Sequence, residues 1–230
     1  MLIEDEGFVI RRTKYGEKSI ISKVLTKENG LVDLIYSLPR KRKPNLFQPL
    51  NCLNLVFYPS KKTTIHRVKE VTLNLSPLFS DSKIEVNSLV FFIAEFLDKT
   101  IKEEGKNEWL YLFIKEQLQF LYHSSSSLAN YHIRFIYHLL PYLGIEPNIK
   151  EGDDFFDMQA GHSNKIADNG PFQLEKDDFE LLKKLLNDDF SFTKNQRNKV
   201  LDILMSYIEV QTGCKLSSIK SRDVLKVILE

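Results

Sequence analysis

Short turn signals interrupt the first 75 residues at close intervals, and after Ser76 long stretches with helical apolar spacing replace them. That single change of period constrains the fold more than any composition value. It separates a strand-built N-terminal part from a helical remainder, and so argues against an alternating βαβ sheet. Phe8–Thr13, Lys18–Thr26, Leu31–Leu38, Cys52–Tyr58 and Thr63–Leu73 read as five strands. Lys14-Tyr15-Gly16-Glu17 forms the first turn, and Asn29-Gly30 is a strong hairpin signal because glycine accepts positive φ. Pro59-Ser60-Lys61-Lys62 turns the fourth strand into the fifth. Five short strands with one long connection, between the third and fourth, match an OB-type barrel by count. An SH3-like barrel has about as many strands, so the count alone leaves both open.

Helical grammar begins with the capping box Ser82-Lys83-Ile84-Glu85. Helices are predicted over Val86–Glu103, Glu108–Tyr122, Leu128–Leu143, Asp177–Leu186, Thr193–Gln211 and Ser221–Leu229. Thr193-Lys194-Asn195-Gln196 supplies a second capping box, and Gly144 and Gly213 are helix stops. Residues 148–170 are acidic and without period, and read as a loop. The expected class is therefore α+β and multi-domain: a five-stranded barrel over residues 1–78 and a mostly α-helical domain over 79–230.

Catalytic signatures are missing from the sequence. No GxxxxGK[ST], GxGxxG, HExxH or GxSxG occurs, so ATP-driven activity is not expected and nothing in the sequence argues for an enzyme; a metal-dependent nuclease using the acidic loop is the weakest reading. His66, His123, His132, His138 and His162 are scattered and suit structural or surface roles. Cys52 and Cys214 are too few for a four-cysteine zinc site, and Cys52 falls in an apolar strand as a small buried residue. Asp153, Asp154, Asp157, His162 and Asp168 match no calcium-loop spacing and read as a solvated acidic loop, so neither metal nor cofactor is expected. The N-terminus is acidic, without the basic and apolar regions of a signal peptide, and no apolar run approaches a membrane span. A cytoplasmic protein is expected.

Charge carries the positive functional signal. Residues 1–80 hold 14 Lys/Arg against 7 Asp/Glu, while the remaining 150 hold 18 against 24, a division concealed by the whole-chain charge of +1. A basic small barrel joined to an acidic body suggests a grip on a polyanion. Arg11, Arg12, Lys14 and Lys18 bracket the first turn, Arg40, Lys41, Arg42 and Lys43 form the long loop, and Lys61, Lys62 and Arg67 bracket the last hairpin. Neutralising phosphates with these would release counterions and give salt-sensitive, sequence-tolerant binding. Tyr15 and Tyr36 are the base-stacking candidates, whereas Phe47 and Tyr58 fit core packing better. The alternative is an interaction scaffold whose basic barrel grips an acidic protein tail.

Several segments resemble the bacterial recombination mediator family RecO. They are Gly7-Phe8-Val9-Ile10-Arg11-Arg12-Thr13-Lys14-Tyr15-Gly16-Glu17-Lys18-Ser19, then Leu25–Leu31, then Leu46-Phe47-Gln48-Pro49-Leu50. In the helical part, Arg134-Phe135-Ile136-Tyr137-His138-Leu139-Leu140 and Leu143-Gly144-Ile145-Glu146-Pro147 are similar to the family's arginine–aromatic helix and its Gly–Pro turn. The resemblance implies an N-terminal OB fold, a helical C-terminal domain and a non-enzymatic role in recombinational repair by the RecF pathway. It further implies binding of single- and double-stranded DNA, strand annealing, engagement of RecR, and help in loading RecA. For the C-terminal tail of single-stranded DNA-binding protein, the candidate cations are Arg134 and Lys115. Many relatives carry a four-cysteine zinc knuckle after the Gly–Pro turn; here residues 148–157 hold no cysteine, and no zinc is expected.

Overall fold

The computed structural model describes residues 1–37, 46–76, 83–102, 105–123, 127–167 and 170–229. Strand β1 (Ile3–Tyr15) serves two neighbours and so closes a barrel. Its first half, Ile3–Phe8, pairs antiparallel with β4 (Cys52–Tyr58), while Gly7–Tyr15 pairs with β2 (Ser19–Thr26). β2 runs antiparallel to β3 (Gly30–Ser37), and β4 to β5 (Ile65–Leu75). Parallel pairing of Asp33–Ile35 with Ile65–Arg67 closes the order β1-β2-β3-β5-β4. This is the order of an OB-type barrel, as expected, and it resolves the ambiguity left by strand count.

Local sequence explains how β1 bends. A Cβ on Gly7 would lie 2.6 Å from Val24 Cγ1 and 2.9 Å from Leu25 O, so only glycine fits where β1 passes from one partner to the other. Ile10 is inserted as a bulge between the pairs Val9–Val24 and Arg11–Lys23. There the Val9 amide donates to Asn51 O at 3.0 Å and its carbonyl accepts from Leu50 N at 2.8 Å. The interior is filled by Val9, Ile20, Val24, Val32, Leu34, Leu53, Leu55 and Phe57, the inward half of a period-two pattern, together with Phe47 from the turn before β4. Asp5 braces the β2–β3 turn, its carboxylate accepting from the Glu28 amide at 3.2 Å and Asn29 Nδ2 at 2.7 Å.

The chain forms two compact units: Met1–Ser124 with Ile219–Ile228, and Ser125–Ser218 with Leu229–Glu230. In the first, helices α1 (Ile84–Thr100) and α2 (Glu108–His123) accompany the barrel, and α6 (Ser221–Ile228) packs on α1. Ser82 of the expected capping box lies outside the described residues. Tyr111 of α2 sets its ring 5.2 Å from Phe8, its hydroxyl lies 3.8 Å from Cys52 Sγ, and Lys115 Nζ lies 3.0 Å from Glu6 Oε1. Cys52 is buried as expected, and burial pushes its thiol up to about 11.

The second unit holds α3 (Tyr131–Leu139), α4 (Lys176–Leu186) and α5 (Lys194–Thr212). α5 begins at the expected capping box, with Thr193 accepting from the Gln196 amide, and ends at Gly213 with φ of 67°. α3 is shorter than predicted; Pro141 falls in a 3₁₀ turn, Leu140–Leu143, that Gly144 ends at φ of 70°. The expected loop over 148–170 is corrected in part. Within it, β6 (Phe155–Asp157) and β7 (His162–Asn164) form a small antiparallel hairpin. Strands of three residues show no period, and tertiary contacts hold them: Phe156 packs 5.9 Å from Phe179 and 5.6 Å from Tyr207, ring to ring. Gln211 Nε2 donates to Met158 O at 2.6 Å, fastening the hairpin tip to α5.

Candidate nucleic-acid interface

Strand register gathers residues that the sequence scatters. Thr13 pairs with Ile21, Ile21 with Ile35, Ile35 with Arg67, and Arg67 with Tyr58, making one row across all five strands. At the usual strand spacing the row covers about 19 Å. It faces outward, because the adjoining Ile20, Leu34 and Phe57 point into the core and Val68 packs against it. The β1–β2 hairpin, with Lys14, Tyr15 and Lys18, projects beyond one side of this row. The β4–β5 turn, with Lys61 and Lys62, leads into β5 at its other flank.

That second turn is built by its own side chains. Ser60 Oγ accepts from the Lys62 amide at 3.3 Å and the Thr63 amide at 3.1 Å. The Ser60 amide donates to His66 Nδ1 at 3.1 Å, and the His66 ring stacks 5.6 Å from Phe57. Lys61 and Lys62 therefore sit on a hydrogen-bonded turn anchored to the core.

The candidate cations divide by what they already hold. Arg12, Lys14, Lys18, Lys61, Lys62 and Arg67 are exposed, and none makes an ion pair among the described residues. Arg11 is different: the bulge at Ile10 puts it beside Lys23, and both face Asp98 of α1, at 3.1 and 3.6 Å. Its charge is spent in part on Asp98. Arg40, Lys41, Arg42 and Lys43 lie outside the described residues. By contrast, Glu4, Glu6 and Glu70 lie with Asn54, Val56 and Thr72 around a shallow acidic depression across β1, β4 and β5. The basic surplus of residues 1–80 is thus unevenly spread over the barrel.

The aromatic candidates also separate. Tyr15 stands 58% exposed on the hairpin. Tyr36 is half-buried, its ring 5.1 Å from buried Phe47, so core packing absorbs most of it. Phe47 belongs to the core as expected, whereas Tyr58 does not: it is 49% exposed beside Arg67, and its assignment to the core is corrected. The signal was in the alternation, since Leu53, Leu55 and Phe57 point inward and Tyr58 falls on the opposite parity.

Lys115 sits in the first unit, bonded to Glu6. Burial raises the Glu6 carboxyl, but the hydrogen bonds from Lys115 and Tyr111 outweigh it and hold the group below the usual range. Arg134 is exposed on α3 of the second unit. In the acidic segment, Asp153 accepts from Ser163 Oγ at 2.5 Å, and Asp157 from the Gln159 and Ala160 amides at 2.7 and 2.9 Å. Those carboxylates brace their own hairpin. Among the described residues no group of three or more His, Cys, Asp or Glu is placed to hold a metal, and Asp168 lies outside them. No helix among the described residues is long and apolar enough to cross a membrane.

The fold defines the class: an OB-type barrel protein with a largely helical second part. Comparison with known proteins gives the family. The model described as Recombination protein O N terminal matches residues 1–76, and Recombination protein O C terminal matches residues 81–220. The chain is 31% identical over 242 residues to the DNA repair protein RecO of Flavobacterium johnsoniae, covering 99% of each. It is 31% identical over 224 residues to that of Christiangramia forsetii (91% of this chain, 92% of the relative), and 27% over 246 residues to that of Phocaeicola vulgatus, covering 98% of each. The chain belongs to the RecO family, which places it in DNA repair and recombination.

Proposed function

We propose that the chain is a non-enzymatic recombination mediator of the RecF pathway, working in the bacterial cytoplasm and at the nucleoid during repair. Its barrel, residues 1–78, binds single- and double-stranded DNA and anneals complementary strands. With RecR, it helps load RecA onto DNA coated by single-stranded DNA-binding protein. The observation that carries this reading is the outward row ending in Arg67 and Tyr58, flanked by the cationic hairpin with Tyr15 and the braced Lys61–Lys62 turn. Exposed cations neutralise phosphates, and exposed tyrosines offer faces on which any base can stack. Arg40, Lys41, Arg42 and Lys43 are further DNA-binding cations in this proposal.

For the acidic, apolar-ended tail of single-stranded DNA-binding protein, Arg134, exposed on α3, is the first candidate cation and Lys115, which holds Glu6, the second. Fluorescence anisotropy with labelled oligonucleotides over a salt series tests the core of the proposal. Binding should weaken steeply with salt, leave the DNA intact, and accompany faster annealing of complementary strands. Failure to bind DNA at low salt, with binding of an acidic peptide retained, would favour the scaffold reading instead. DNA cleavage in the presence of a divalent metal would overturn the non-enzymatic role.

A further inference from the structure

A groove of about 660 Å³ opens in the first unit where β1 passes α1 and α6. Its apolar wall is made by Ile10, Pro49, Phe91, Ala94 and Val224. Phe91 is 49% exposed although its neighbours Val90, Phe92 and Ile93 are fully buried, so α1 turns this one aromatic out of the core and into the groove. A solitary exposed phenylalanine is ordinary; one that lines a groove beside cations is a platform.

The charges around it favour an anion. Arg11, Arg12 and Lys99 line the groove against Glu95 and Asp98. Both carboxylates are already engaged. Asp98 holds Arg11 and Lys23, and Glu95 accepts from the Lys220 and Ser221 amides and from Ser221 Oγ at the start of α6. Burial raises the Glu95 carboxyl, but those Ser221 and Lys220 hydrogen bonds outweigh it and keep it ionised. Beyond those pairs the groove presents at its rim exposed Arg12 and half-buried Lys99, whose charge also bears on Glu95, over an apolar floor. Arg12 lies on the same strand as Tyr15 of the hairpin, three residues and about 10 Å before it.

We infer that this groove is a single-strand-specific subsite, which takes an unpaired base of the nucleic acid onto Phe91 while Arg12 and Lys99 hold its flanking phosphates. The inference rests on the DNA-binding reading above and deepens it by naming the strand state the site selects. A duplex keeps its base faces stacked inside and can offer only phosphates to the rim. Single-stranded DNA can offer both, and stacking on an aromatic ring is indifferent to base identity.

The test places an indole at the platform. In a Trp109→Phe background, which removes the chain's one tryptophan from a site 76% exposed, Phe91→Trp reports stacking as quenched emission. A 20-nucleotide oligo-dT should quench the indole, and a 20-base-pair duplex should not. In parallel, Phe91→Ala should weaken oligo-dT binding about fivefold to a hundredfold, leave duplex binding unchanged, and leave the salt dependence unchanged. Phe91→Trp should bind oligo-dT as tightly as the parent chain. An indole that oligo-dT leaves unquenched, with Phe91→Ala binding it normally, overturns the inference while the hairpin reading stands. Equal losses on single strand and duplex would show Phe91 acting through the fold, and also overturn it. Quenching by a fluorescein-free peptide of alternating Asp and Phe, with none by oligo-dT, would make the groove a peptide site. If the parent chain binds neither oligonucleotide, both readings fall together.

Discussion

Replacing Arg12, Lys14 and Lys18 together by alanine removes three exposed cations from the β1–β2 hairpin without touching the barrel core. For single-stranded DNA, each neutralised phosphate contributes about 0.7 to the slope of log affinity against log salt. Six exposed cations without an ion pair would give a slope of about 4, hence about a 300-fold loss between 50 and 200 mM salt. The triple variant should lower the slope by about 2, whatever other residues add to the total. Arg11 and Lys23 enter differently, because Asp98 holds both at 3.1 and 3.6 Å. Asp98→Asn releases them, and should steepen the slope by up to about 1.4 and tighten low-salt binding. The assay is anisotropy on a labelled oligo-dT at five or more salt concentrations, with circular dichroism confirming the folded state. A folded triple variant with an unaltered slope would remove the hairpin from the interface. An Asp98→Asn variant with the parent slope would show that Arg11 and Lys23 lie off the DNA path.

Two further outcomes separate binding from packing. Tyr15→Ala should cost about 1–3 kcal/mol of single-strand affinity with little change in melting temperature, since the ring is exposed. Tyr36→Ala should chiefly lower the melting temperature, because its ring packs on Phe47; a purely affinity-based effect would refute that division. His132 is buried, and burial, aided by the nearby Arg197 charge, lowers its pKa from 6.5 to about 3. The unfolded chain then binds the proton more readily, so stability is intact above about pH 6.5 and falls as pH drops toward 3. At pH 5 the loss should be about 2 kcal/mol relative to neutral pH, read from urea melts. His132→Gln cannot charge and should flatten that part of the profile; an unchanged profile would place the acid sensitivity elsewhere.

Most of the architecture was legible in the sequence because it rests on local periods. Alternation with Gly-centred turns marked the five strands, and helical spacing with the Thr193–Gln196 box marked α5 near its true bounds. Cys52 was legible as a small residue within an apolar strand, and Phe47 as an aromatic suited to the core. Where local signal was weak, the reading failed. The β6–β7 hairpin is too short to show a period and is held by Phe179, Tyr207 and Gln211, which are distant in sequence. Tyr58 has an aromatic side chain suited to a core, but its parity in β4 sets it on the outer face.

The sequence by itself determined the barrel-then-helices order, the basic surplus of the first 80 residues and the family likeness. All three are properties of composition and near neighbours. Only tertiary structure decided which charges are available. Closing the barrel brought Arg67 beside Ile35 and Tyr58, and the Ile10 bulge delivered Arg11 and Lys23 to Asp98. It also left Phe91 facing a groove that residues from β1, α1 and α6 build together. A charge count treats every lysine and arginine alike, whereas strength at a surface depends on which carboxylate lies within a few ångströms. That distance is set by strand register and helix packing, which link residues far apart in the chain.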